Sequence, residues 1–293
     1  MRKIISILLG LTALVVIAHF GLPAIQNHIY ASDVPILPVT PSATSYPMLS
    51  RDEAKPRIIE LLQTNAGCRL PCWWGIVPGK TRWEEVHAFL SPMLTAESVT
   101  NDYLSFIDPA SSWDAEDPML PNLEMYVRDS IVQDILVDPV SGKYLTELDI
   151  PHIFEAYGKP DEIYLRVFNY ETARLIQIFL HYPSLRLTIQ YNYFLDIHPT
   201  IRLCSLDQAE HADFYLWYGD LATDFWYGSR SVAEGDFYAI AARAGWYPTS
   251  NKILALSEAT DLTVEAFYEM FRQPIEYATC LKTPTSLWVE NHN

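Results

Sequence analysis

The chain opens with Met1-Arg2-Lys3 and then runs from Ile4 to Phe20 without a charge, its only polar side chains being Ser6, Thr12 and His19. As a helix rising about 1.5 Å per residue, that run is roughly 26 Å long, just short of a bilayer's hydrocarbon core. Gly21 to Ile25 extends the apolar stretch. Two positive charges ahead of such a run mark a signal peptide or an uncleaved anchor, and positive charge stays on the cytoplasmic side. Everything after Ile25 is therefore expected outside the cytoplasm. Ala31, in Ile29-Tyr30-Ala31-Ser32, is the candidate cleavage point. Ile29 is a poor match to the small residue wanted at −3, so a retained anchor is expected, with secretion after cleavage as the alternative.

An oxidising compartment changes what the cysteines mean. Four cysteines, an even number outside the cytoplasm, read as two disulfides with three connectivities open. Cys68 and Cys72 are close enough to bridge if Pro71 turns the chain, and Cys204 and Cys280 would then pair. A bridge closing so long a loop is worth about 4 kcal/mol in the chain-entropy model. A zinc site needs a second close pair of thiolates, which the spacing lacks. The chain carries 20 Lys and Arg against 36 Asp and Glu, a formal charge of −16. Because Arg2 and Lys3 belong to the leading segment, the remainder is more negative still. Such a field repels phosphate backbones and excludes nucleic acid as a partner.

Four regions follow. Residues 1–25 form the signal peptide or transmembrane anchor. Residues 26–50, with Pro35, Pro38, Pro41 and Pro47, read as a Pro/Ser/Thr-rich linker. Residues 51–200 are expected to fold as an α+β domain, and 201–293 as an aromatic-rich segment packed on it. A short helix is predicted over Ala54–Leu62. A second begins at a Thr81-Arg82-Trp83-Glu84 capping box, with Trp83, Val86, Phe89 and Leu90 inward, and stops at Pro92. Alternation either side of Arg128-Asp129-Ser130 makes Leu123–Val137 a hairpin, and Asp138–Gly142 a turn. Asp149 then caps a third helix with Pro151 in its first turn, Ile150, Ile153, Phe154 and Tyr157 inward, and Gly158 and Pro160 as the stop. Strand-like runs follow at 163–168, 175–182 and 185–193, and a last capped helix at 263–271. Helix followed by antiparallel meander thus occurs twice, which predicts antiparallel sheet with helices on one face.

The densest local pattern is Gly67-Cys-Arg-Leu-Pro-Cys-Trp-Trp-Gly-Ile-Val-Pro-Gly79. Cys72 before Trp73 is similar to the nucleophile segment of papain-like proteases, but the half-cystine spacing differs, no Gln lies a turn upstream and no Asn-Ser-Trp follows. A Cys72 held in a disulfide is no thiolate nucleophile. Residues 67–81 resemble a Gly-Cys-x-Leu-Pro-Cys-Trp-Trp-Gly-Ile-x-Pro-Gly-x-Thr motif of bacterial extracytoplasmic proteins of unassigned activity, and Trp288 fits as a closing aromatic. That resemblance implies an exported, disulfide-containing domain. Gly79, Thr81, Glu84 and Val86, with the later Tyr157, Gly158 and Pro160, also resemble small envelope modules of the SmpA/BamE-like and β-lactamase-inhibitor-protein types. Such modules bind other proteins.

The remaining candidates are acidic and aromatic. Asp108, Asp114, Glu116 and Asp117 lack the Gly turn of a calcium loop and read as a solvated loop. A Trp-Tyr-Gly triplet occurs twice, placing Trp217, Tyr218, Trp226 and Tyr227 around Asp220 and Asp224. That set could stack on a sugar or supply paired carboxylates. No phosphate loop, His-rich metal spacing or Gly-x-Ser-x-Gly elbow occurs. The sequence therefore predicts an exported, membrane-tethered, non-enzymatic module binding a protein partner at the cell envelope, with no cofactor and no metal. The alternative is a carbohydrate-binding or carbohydrate-cleaving domain using Trp217, Trp226, Asp220 and Asp224.

Overall fold

Strands with period-2 alternation, more than helices, shape the described chain. The structure, a computed structural model, describes residues 47–100, 103–107, 122–141, 148–203, 211–218, 237, 252–272 and 280–288. The strands are β1 (Thr95–Thr100), β2 (Tyr103–Ile107), β3 (Asn122–Arg128), β4 (Ile131–Ser141), β5 (Glu162–Asn169), β6 (Arg174–Tyr182), β7 (Leu187–Leu195), β8 (Thr200–Leu203), β9 (His211–Trp217), β10 (Ile253–Ala255) and β11 (Leu281–Pro284). Nine of them form one antiparallel sheet in the order β1-β2-β3-β4-β9-β7-β6-β5-β10, and β8 pairs with β11 separately. The helices are α1 (Arg51–Thr64), α2 (Trp83–Leu90), α3 (Ile150–Tyr157), α4 (Leu256–Ala259) and α5 (Val264–Phe271). The chain is thus α+β, and two helix-then-meander stretches lie side by side in a single sheet.

One face of that sheet holds the main core. Ala54, Ile58 and Leu62 of α1, Trp83, Val86 and Leu90 of α2, Ile150, Ile153 and Phe154 of α3, and Phe267 and Phe271 of α5 bury against alternate strand residues. The sheet contributes Met125 and Ile135, Leu165 and Val167 on β5, and Ile176, Ile178, Ile189 and Phe214. Spacings of i, i+3 and i+4 in the helices and i, i+2 in the strands deliver these side chains to one side.

Several local expectations hold because their chemistry is local. Asp149 caps α3 by accepting from the His152 amide at 2.9 Å, and Gly158 ends it at φ 75°. Asp129 and Ser130 both take positive φ, 52° and 60°, and turn the β3–β4 hairpin. Other expectations fail. α2 starts at Trp83 with Arg82 as its uncapped N-terminal residue, because the Thr81 hydroxyl accepts from the Val77 amide instead, at 2.8 Å. Phe89 is exposed rather than inward. Residues 138–141 continue β4 past a bulge instead of turning. The C-terminal third does more than pack on the domain, since β9 fills the middle of the sheet between β4 and β7.

The apolar run Ile4–Phe20, the cleavage candidate Ala31 and most of the linker lie outside the described residues. Among the described residues no helix is long and apolar enough to cross a membrane.

Candidate functional site

The two ends of the sheet are built differently, and the Cys-Trp motif accounts for one of them. Cys68 and Cys72 are bridged, with Cα atoms 5.8 Å apart across a cis Leu70–Pro71 bond. Oxidation removes the thiolate that a nucleophilic Cys72 would need. The buried Asn65 side chain organises the loop: its amide donates to the carbonyls of Cys68 (3.0 Å) and Cys72 (2.8 Å), and its oxygen accepts from the Trp74 amide (2.8 Å). Trp73 and Ile76 exchange both backbone hydrogen bonds across Trp74 and Gly75, which sit at φ 53° and 84°. The Leu70 amide donates to Tyr157 Oη at 2.9 Å, tying the loop to α3.

Beyond Pro78 the loop closes over the β3–β4 turn. The Gly79 amide donates to the Val132 carbonyl (2.7 Å), the Val132 amide to Thr81 (3.0 Å), and the Trp83 amide to Ser130 (2.9 Å). Tyr218 lies flat against Gly79, where an added Cβ would come within 2.0 Å of the ring. The Arg186 guanidinium covers the Tyr218 ring at 5.0 Å. This end is a locked structural corner.

The expected Cys204–Cys280 pairing lies partly outside the described residues. Cys280 is disulfide-bonded, and Cys204 lies outside the described residues. Leu203 stands opposite Leu281 in the β8–β11 ladder, the register that a Cys204–Cys280 bridge requires.

Of the aromatic and acidic candidates, the structure describes only Trp217 and Tyr218. Trp217 is 3% exposed and stacks on Tyr215 and His181, each at 5.9 Å, so it offers no ring face to a sugar. Asp220, Asp224, Trp226 and Tyr227 lie outside the described residues, as do Asp108, Asp114, Glu116 and Asp117. Among the described residues, no group of three or more His, Cys, Asp or Glu is placed to hold a metal.

The sheet face opposite the helices carries an unexpected buried polar stripe. Gln177 and His181 on β6, Thr188, Gln190 and Asn192 on β7, Asp213 and Tyr215 on β9, and Asp134 on β4 are all buried. Gln190 Nε2 donates to Asp213 Oδ2 at 2.5 Å, Gln177 Nε2 to Asn192 Oδ1 at 2.8 Å, and Tyr215 Oη to Asp134 Oδ2 at 3.1 Å. Burial, then the charge and hydrogen bond of Asp138, push the Asp213 carboxyl well above the ordinary range, which favours its neutral form. Phe237 sits over this face, stacked on Tyr164 at 3.9 Å and edge-on to Phe179 and His181. The stripe is enclosed, and it presents no open surface.

The far end of the sheet is open. Tyr170 in the β5–β6 turn, Phe194 near the end of β7 and Ile197 just after it are 51%, 48% and 48% exposed. Phe194, Leu175 and Phe168 face one another across β7, β6 and β5. Phe168 stacks on Tyr170 with centroids 6.4 Å apart, and the Arg166 guanidinium lies 4.1 Å over Phe168. Beside this fringe lies a cavity of about 190 Å³ lined by Arg174, Leu195, Asp196, His198, Thr200, Ile201 and Arg202. Arg174 is buried and fixed, donating from Nε to Asn169 Oδ1 at 2.9 Å and from Nη1 to the His198 carbonyl. Thr285 Oγ1 donates to the same loop at the His198 and Pro199 carbonyls.

None of these open-end residues stood out as a site in the sequence. The available signal was large apolar side chains at turn and strand-end positions, where small polar residues are usual. The architecture is an antiparallel sheet with helices packed against it. No family model, curated protein or solved structure matches the chain.

Proposed function

We propose that this chain is an exported, membrane-tethered, non-enzymatic module that binds a protein partner at the cell envelope through the open end of its sheet. One observation carries the reading: Tyr170, Phe194 and Ile197, three large apolar side chains each about half exposed, gather at one end beside cationic groups. Aromatic and arginine side chains at an exposed rim are the composition of binding hot spots. Arg174, Arg202 and, opposite Arg202 in the β8–β11 ladder, Lys282 supply cationic groups at this end alongside the acids Asp196 and Glu171. The occupant that fits is a protein presenting an apolar patch flanked by acidic groups. The apolar N-terminal run supports the tether, and the resemblances to extracytoplasmic and SmpA/BamE-like modules support the compartment and the binding role. The carbohydrate reading loses Trp217, which is buried, while Trp226, Asp220 and Asp224 lie outside the described residues.

The test is capture of partners from envelope extracts by the full chain and by a Tyr170→Ser/Phe194→Ser variant. The expected result is a specific partner lost at least tenfold in the variant, whose thermal midpoint stays close to the parent's because both side chains are exposed. Equal capture by both forms would overturn the proposal.

A further inference from the structure

We infer that the cavity between Arg174 and Arg202 is a carboxylate-binding site. Its lining residues include two arginines, Arg174 and Arg202, with His198 and Thr200, against a single acid, Asp196. Arg174 is the fixed element. Its hydrogen bonds to Asn169 and to the His198 carbonyl orient the planar fork, so little rotamer freedom remains to be lost on binding. Arg202 is the free element. It is exposed on β8, and its side chain makes no hydrogen bond or ion pair among the described residues. Paired, parallel N–H donors match the two oxygens of a carboxylate, and charge assistance makes such bonds the strong ones.

Size narrows the ligand. About 190 Å³ corresponds to roughly six water volumes at about 30 Å³ each, enough for a carboxylate and a few adjoining atoms. Ordinary cofactor and nucleotide pockets are larger. The carboxylate comes either from a free small acid or from the chain terminus of the protein partner. The second source rests on the docking reading, because Leu195, the neighbour of Phe194 on β7, lines the cavity. The first does not.

The experiment is calorimetric titration of the full chain in detergent with three probes. These are succinate, N-acetyl-triglycine with a free carboxylate, and the same peptide as its C-terminal amide. Binding of either acid, at least tenfold tighter than the amide and weakened at least tenfold by Arg202→Gln, is the expected result. Succinate alone points to a free acid, and the peptide acid to a chain terminus. Absence of binding by both acids, equal binding of acid and amide peptides, or binding indifferent to Arg202→Gln overturns the inference. Arg202 is exposed, so an unchanged melting curve keeps the variant interpretable. Tyr170→Ser/Phe194→Ser leaves succinate binding intact, which separates failure of this site from failure of the docking surface.

Discussion

At one end of the sheet, the β3–β4 turn is roofed by the disulfide loop, with three backbone hydrogen bonds running between Gly79–Trp83 and Ser130–Val132. At the other end, the β5–β6 turn and the residues after β7 leave Tyr170, Phe194 and Ile197 facing solvent. Both ends are hairpin ends of the same sheet, and both carry aromatic rings. In the first, Trp73 and Trp74 are buried and Tyr218 is pinned between Gly79 and Arg186. In the second, Arg166 covers Phe168, and Tyr170 and Phe194 remain about half exposed, as Tyr218 is 44% exposed at the first. An apolar group that the fold does not bury brings no folding stability, so the open fringe is a cost unless something else covers it. The contrast separates a corner held by backbone hydrogen bonds from one proposed to bind a partner.

The closed end should break most readily. Asn65→Ala removes one buried and two part-buried hydrogen bonds and leaves two carbonyls and an amide without their partner. At about 1 kcal/mol each, the loss of stability should be about 3 kcal/mol, read as a lower urea midpoint with the disulfide intact. Loss below about 1 kcal/mol would show that the Asn65 contacts do not hold the corner together.

A smaller effect comes from the polar face between the two ends. Burial and Asp138 favour the protonated form of Asp213, with Gln190 and Asn192 donating to it. Its folded pKa is raised, so the folded state holds the proton longer than the unfolded chain does. That contribution to stability is fully present below the unfolded value and is lost as pH rises toward the folded one. The slope is about 1.4 kcal/mol per pH unit above about pH 4. Asp213→Asn should flatten this part of the stability–pH curve and stabilise the chain near neutrality. A slope unchanged in the variant would assign it to another group.

The sequence was most legible where structure is decided within a few residues. The Asp149 cap, the Gly158 stop and the Asp129-Ser130 turn each depend on neighbours in the chain. Thr81 misleads because a second local partner, the Val77 amide, competes for its hydroxyl. β9 is harder, since its partners β4 and β7 are set by tertiary pairing and its Tyr215 and Trp217 obscure the alternation. The same pairing assembles Asp138 with Asp213, and Arg174 with the loop at His198. The acids that looked paired in the sequence, Asp220 and Asp224, lie outside the described residues.

The most direct measurement places a photocrosslinking amino acid at residue 194 on the open end or at the exposed Asp129 on the closed end, in the full chain within its own envelope. One specific crosslinked protein is expected from position 194, weakened when Tyr170 is also changed to Ser, and no specific product from position 129. Crosslinks of equal yield at both positions, or only at 129, would contradict a docking role for the open end.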